Sequence, residues 1–219
     1  MVDADANSNL NEVLGVDVDI TLGSIREEMA HAELSGAIPS GVTKADYAEM
    51  KFADALIEED DFDVIVMGRT QGAGCYCFVN GMLKTQIDKY ISNYKYTVID
   101  NEAGLEYLSR GTLPHVDVMF LVSDCSRRGI QAVARIYEMI DELKLKPTEV
   151  YLLVNRAPDG ELNPGVLEEI KKYNLPLLGV LPHDDTVYEY DCEGKPTAYV
   201  PEDSPIKKTL GEIIKKINL

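Results

Sequence analysis

The sequence predicts a doubly wound α/β fold, a mostly parallel sheet flanked by helices. Short β-branched apolar runs recur along the chain, and longer helical patterns separate most of them. Most of these runs are near-continuously apolar instead of alternating, as in strands covered on both faces. The chain of 219 residues suits one sizeable domain over 1–219, since a domain of this size buries roughly 70% of its unfolded surface and needs no disulfides.

The first strand-like piece is the "VDAD" that follows Met1. "TKADYAEMKFADALIEED" (43–60) reads as a helix with Thr43 as N-cap. Five strands follow: "DVIVMGR" (63–69), "YTVIDNE" (96–102), "VDVMFLVSD" (116–124), "EVYLLVNRA" (149–157) and "LPLLGVLP" (175–182). Between the third and fourth, "SRRGIQAVARIYEMIDELKL" (126–145) gathers Ile130, Val133, Ala134, Ile136, Tyr137 and Ile140 mostly on one face. "NPGVLEEIKKYN" and the final "SPIKKTLGEIIKKINL" each open with Pro at the first helical turn. In the last helix Ile206, Leu210, Ile213, Ile214 and Ile217 form a stripe expected to face the core.

Charge and cysteine usage narrow the function classes. Asp and Glu number 38 against 21 Lys and Arg, a formal charge of −17. Such a surface repels phosphate backbones and anionic lipid, which argues against nucleic acid and membrane as partners. No apolar run approaches the ~20 residues of a membrane span, and no basic leader follows Met1. Four irregularly spaced cysteines fit a cytoplasmic protein with free or metal-bound thiols.

In doubly wound sheets, ligands lie beyond the carboxyl ends of the strands. Those ends are polar here: "VDADANSN", "IDNEAG" and "VNRAP". Carboxylates at the tips of two parallel strands suit a Mg²⁺–nucleotide site, where one orders the ion's water shell and another orients the attacking water. A single strand-end Asp is more often a cap or turn residue, so the pattern carries weight only as a set.

Two cysteines, Cys75 and Cys77, stand one residue apart in "GRTQGAGCYCFVNGML" (68–83). Thiolates at i and i+2 can give two sulfurs to one soft ion, Ni²⁺ or Zn²⁺, and leave its shell half filled. A two-fold dimer would bring four sulfurs together, and Gly72 and Gly74 would permit close approach. The alternative is a pair of incidental loop thiols. Cys125 reads as a small buried residue, Cys192 lacks a second ligand at useful spacing, and His31, His115 and His183 read as ordinary.

"VDADANSNL", "GCYCFVNGML", "VIDNEAGLEYLSRG", "LLVNRAP" and "GVLPHDDTVYEYDCEGKP" occur in one order. That order resembles the CooC-type maturation ATPases of the MinD/ParA/nitrogenase-iron-protein group of P-loop NTPases. The resemblance covers nearly all of the chain. It implies a nucleotide-switched homodimer joined through the CxC loop, using ATP/ADP with Mg²⁺ and inserting Ni²⁺ into carbon monoxide dehydrogenase or acetyl-CoA synthase. It implies that Asp5 orients the hydrolytic water, with Asn9 as its companion. Asp100 would hold Mg²⁺ through water and Gly104 would open the second switch. Asn155 and Arg156 would frame the adenine, with Pro182 and Asp184 at its other edge, and Cys75 and Cys77 would bind the metal.

One family motif has no match here: no GxxxxGK[ST] occurs in these residues. The resemblance aligns "VDAD" with the end of the family's second strand. A strand, phosphate loop and helix of roughly 35–40 residues are therefore expected upstream, in a longer reading frame or on another polypeptide. Without that loop, ATP hydrolysis is expected to be poor. Two rivals remain open: a ParA/MinD-type partitioning or positioning ATPase, and a non-catalytic metal-binding dimer. An iron–sulfur reductase of the same group ranks lower, because its bridging cysteines come from two separate loops.

Overall fold

A computed structural model describes residues 1–69, 81, 84, 85, 89, 91–104, 116–142 and 147–217. They fall into two compact units, Met1–Pro114 and His115–Leu219.

The first unit is built on a short strand, β1 (Val2–Ala4), flanked in parallel by β3 (Asp63–Val66) and β4 (Ile99–Asn101). A two-residue strand, β2 (Ile57–Glu58), runs antiparallel beside β3, so the order is β2-β3-β1-β4. Alternation along the strands supplies two apolar faces. Val2, Ala4, Ile65 and Met67 pack with Leu22, Ile25 and Met29 of α2 (Leu22–Ser35) and Phe52 of α3 (Lys44–Ala53). Val64 and Val66 pack the other way, on Leu14 of α1 (Leu10–Leu14) and Val16. Thr21 and Thr43 each close a capping box at the start of a helix, with Ser24 and Asp46 respectively.

The second unit is a parallel sheet, β5 (Val118–Asp124), β6 (Glu149–Ala157) and β7 (Leu177–Pro182) in that order. On one face, Leu121, Leu152 and Val154 meet Ile130, Val133, Ala134 and Ile140 of α4 (Arg127–Glu142) and Val166 and Ile170 of α5 (Pro164–Lys172). Leu153 and Leu181 pack on Ile213 of α7 (Pro205–Ile214) on the other face. A shorter helix, α6 (Asp185–Cys192), follows β7.

This is the α/β class the apolar runs imply, with two local differences. The helix expected over 43–60 ends at Ala53, because Ile57 and Glu58 pair with Val64 and Asp63 as β2. The pattern over 43–60 could not reveal a partner that lies beyond it. Of the expected stripe, Ile213 in α7 and Ile217 in the 3-10 turn after it are buried, but Leu210 is 38% exposed, so the apolar stripe is narrower than its spacing implies. Among the described residues, no helix is long and apolar enough to cross a membrane.

Candidate functional site

Strand β1 delivers the most deeply buried carboxylate among the described residues of the first unit. Asp3 is 1% exposed, and its two oxygens are fixed by backbone N–H groups. Oδ1 accepts from Asp5 and Oδ2 from Leu10, each at 3.0 Å. The carboxylate therefore ties both ends of the turn that joins β1 to α1. Within that turn the Asp5 carboxylate accepts the Asn7 N–H at 2.7 Å, and Ser8 donates both N–H and hydroxyl to the Asp5 carbonyl. Ser8 has φ +55°, left-handed backbone that a non-glycine residue adopts only under constraint. Asn9 is the N-cap of α1, but its side chain makes no capping bond. That amide is left for another use.

Asp100 stands level with Asp3 in the β1–β4 register. Desolvation against the strand raises its carboxyl above the usual range, although its edge reaches solvent, and the charges of Asp3 and Asp5 add to the rise. Asp3 is raised as well, mainly by burial; the two N–H bonds oppose the rise and the Asp5 charge reinforces it. Three carboxylates thus converge at one end of β1 and β4, and two of them hold protons more tightly than free carboxyls do. A cation brought there would relieve the repulsion. Gly104, at φ +108°, follows in a conformation that suits glycine.

The strand tips of the second unit are wired differently. Asp124 ends β5 opposite Asn155 of β6. Its carboxyl is held low, first by the Ser126 hydroxyl at 2.7 Å, then by the Ser126 N–H at 2.9 Å, with a smaller contribution from the Arg156 charge. Between β6 and β7 the register shifts, and Arg156 sits in left-handed backbone at φ +58°. The Asn155 side-chain oxygen accepts the Arg156 N–H at 2.8 Å, and the Cys125 thiol donates to the Arg156 carbonyl. Pro182 pairs with Ala157 at the end of β7, and the next residue, His183, donates its N–H to the Ala157 carbonyl. Buried Asp184 caps α6 through Thr186 N–H at 3.0 Å and accepts Ile206 N–H at 3.2 Å, joining α6 to α7. Burial works to raise this carboxyl; the N–H bonds from Ile206 and Thr186, helped by the hydroxyls of Ser204 and Thr186, outweigh it and leave it low.

Asp5, Asn9, Asp100 and Gly104 thus belong to the first unit, and Asn155, Arg156, Pro182 and Asp184 cluster at the strand tips of the second. Cys75 and Cys77 lie outside the described residues. Among the described residues, no group of three His, Cys, Asp or Glu side chains is arranged to hold a metal ion directly. Cys125 is half-buried, and Cys192 is exposed. The sequence reading passed over Asp3 and Asp124. Asp3 carried a signal, a charge inside a strand between two small apolar residues, whereas Asp124 looks like any strand-end Asp.

No family model matches the chain. It is 42% identical over 217 residues to an ATP-binding protein of Methanocaldococcus jannaschii, covering 99% of this chain and 85% of that one. It is 24% identical over 205 residues to the carbon monoxide dehydrogenase accessory protein CooC of Rhodospirillum rubrum, covering 88% of this chain and 75% of that one. Among solved structures, the cell division ATPase MinD of Pyrococcus furiosus aligns with a TM-score of 0.62 at 24% identity, over 99% of this chain and 84% of that one. A ParA family ATPase of Chlorobium tepidum aligns at 0.67 with 17% identity, over 96% and 81%. At these identities the structural likeness speaks for the fold alone.

Proposed function

The chain belongs to the family of its 42% identical ATP-binding relative, and on that premise we propose that it is a MinD/ParA-like, nickel-carrying maturation ATPase. In this reading residues 1–219 form one nucleotide-binding domain of a cytoplasmic homodimer. Cys75 and Cys77 of two copies hold Ni²⁺, or Zn²⁺ in its place, for delivery to carbon monoxide dehydrogenase or acetyl-CoA synthase. Neither nucleic acid nor membrane is a partner.

The observation that carries the nucleotide half is the convergence of Asp3, Asp5 and Asp100, with Asp3 and Asp100 raised above ordinary carboxyl values. Mg²⁺, when bound with the nucleotide, neutralises phosphate charge. Asp100 fits such an ion through its water shell, since among the described residues no three side chains close on an ion directly. Asp5, at the mouth of the turn, orients water. The free side chain of Asn9 and the flexible Gly104 follow the two carboxylate strands and serve as switch positions. The resemblance assigns Asn155, Arg156, Pro182 and Asp184 of the second unit to the base, and Arg156 stands in left-handed backbone at the β6–β7 register shift. The metal half rests on the CxC and on the likeness to the accessory protein CooC.

The partitioning or positioning reading draws on the likeness to MinD and ParA structures and on an amphipathic last helix with Lys207 and Lys208. It assigns no task to Cys75 and Cys77.

Native mass spectrometry of the reduced protein, titrated with Ni²⁺ without oxygen, separates the two. One ion per two chains, lost in Cys75→Ser/Cys77→Ser, is the expected result. A protein that binds ATP but no metal would leave the positioning reading in possession.

A further inference from the structure

Arg69 is exposed, yet its position is set from three sides. Met67, two residues earlier, donates its N–H to the Asp3 carbonyl at 2.9 Å and accepts the Gly23 N–H at 2.8 Å. A Cβ on Gly23 would lie 2.3 Å from the Arg69 carbonyl oxygen, so the start of α2 is pressed against the Arg69 backbone. Gly68 takes φ +65°, and a Cβ there would lie 2.4 Å from the Thr21 hydroxyl oxygen. From this clamped backbone the Arg69 guanidinium reaches back and donates to the side-chain oxygen of Asn7, 62 positions away in sequence. Asn7 in turn owes its position to Asp5, whose Oδ1 accepts the Asn7 N–H.

We propose that Arg69 is a positioning residue for Asp5: it braces the Asp5–Ser8 turn through Asn7, so that engagement of the Asp5 carboxylate by a ligand and release of Arg69 are one event. The physical reason is the double duty of Asp5. An Oδ1 that swings toward a water or an ion withdraws from the Asn7 N–H. The turn, already held in left-handed backbone at Ser8, then relaxes and carries the Asn7 side-chain oxygen away from the guanidinium. The released side chain belongs to the residue directly before the segment that carries Cys75 and Cys77. Its ligand-dependent half rests on the reading of Asp5 given above.

The test uses NMR of the intact protein without added nucleotide. Arg69→Ala should speed amide exchange of Asn7 and Ser8 about fivefold, the ratio expected for one net hydrogen bond, with the thermal midpoint lowered by no more than about 2–4 °C. Arg69→Lys, which keeps a donor, should restore most of the protection. Asp5→Ala should free the Arg69 guanidinium, seen as faster rotation about its Cζ–Nε bond, although Asp5 does not touch Arg69. Exchange within twofold of the parent in Arg69→Ala, or an unchanged guanidinium in Asp5→Ala, would overturn the proposal. Addition of MgATP should reproduce the Asp5→Ala guanidinium signal. A protein that binds MgATP and keeps the parent signal also overturns it. Absence of MgATP binding counts against the proposed function instead, and the two variants still decide this inference.

Discussion

The two units place carboxylates at the carboxyl ends of parallel strands and treat them in opposite ways. In the first, Asp3 and Asp100 are desolvated and mutually repelled, and their carboxyls rise. In the second, Asp124 and Asp184 have donors matched to them, and theirs fall, as does that of Glu169 within α5. Glu169 is lowered first by Arg127, then by Gln131. At these ends Asp100 is poised for a cation, whereas Asp124 and Asp184, like the N–H-bonded Asp3, are consumed as fasteners. Burial and neighbouring like charges prevail around Asp3 and Asp100, whereas N–H and hydroxyl donors outweigh burial at Asp124 and Asp184.

The comparison can be broken in order of expected effect. If the first-unit cluster is the working one, and with the phosphate loop supplied, Asp5→Ala should lower ATP turnover on the order of 10²-fold or more with little change in MgATP affinity. Phosphate release and calorimetry would check this. Asp184→Ala should leave turnover chemistry alone, and a comparable loss in both would erase the distinction. Next, Asp3→Ala strands two N–H groups in a buried turn and should lower stability by about 2–4 kcal/mol in urea unfolding, with Asp3→Asn losing less. Asp184→Ala opens the α6 cap and the tie to Ile206, for about 1–2 kcal/mol.

The smallest effect is on pH dependence, and the units should differ in sign. A carboxyl raised on folding binds its proton more tightly in the native state, so Asp3 and Asp100 add stability as pH falls from neutrality through their raised values toward the ordinary carboxyl range near 4. The lowered Asp124, Asp184 and Glu169 contribute above that range, and their contribution disappears as pH falls through their folded values. Asp100→Asn should flatten the gain on mild acidification, and Mg²⁺ at pH 7 should stabilise the parent more than this variant. Unfolding midpoints at pH 7 and 5.5, with and without Mg²⁺, measure both. Equal slopes in the parent and Asp100→Asn would remove the case for a repelled cluster.

Part of this site could be read from the linear chain. The rule that ligands gather at strand ends flags "VDADANSN", "IDNEAG" and "VNRAP", and the family resemblance assigns roles to Asp5, Asp100, Asn155 and Arg156 within them. The resemblance places Asp184 at a base-binding edge; that its carboxylate accepts the Thr186 and Ile206 N–H groups, the second of them 22 positions downstream, is legible only in the fold. Asp3 was passed over because its weight comes from burial between β3 and β4, which meet it only in the sheet.

The sequence by itself determined the elements whose causes are local. Thr43 starts α3, Pro164 and Pro205 open α5 and α7, and continuous apolar runs make β5 and β6, because capping and periodicity act over a few residues. Tertiary structure alone decided what depends on distant partners. Ile57 leaves its helix to pair with Val64, Arg69 finds Asn7, and Asp3 and Asp100 come level and repel each other. Desolvation and charge proximity act through space, so the chemistry of these carboxylates arises only when the strands are side by side.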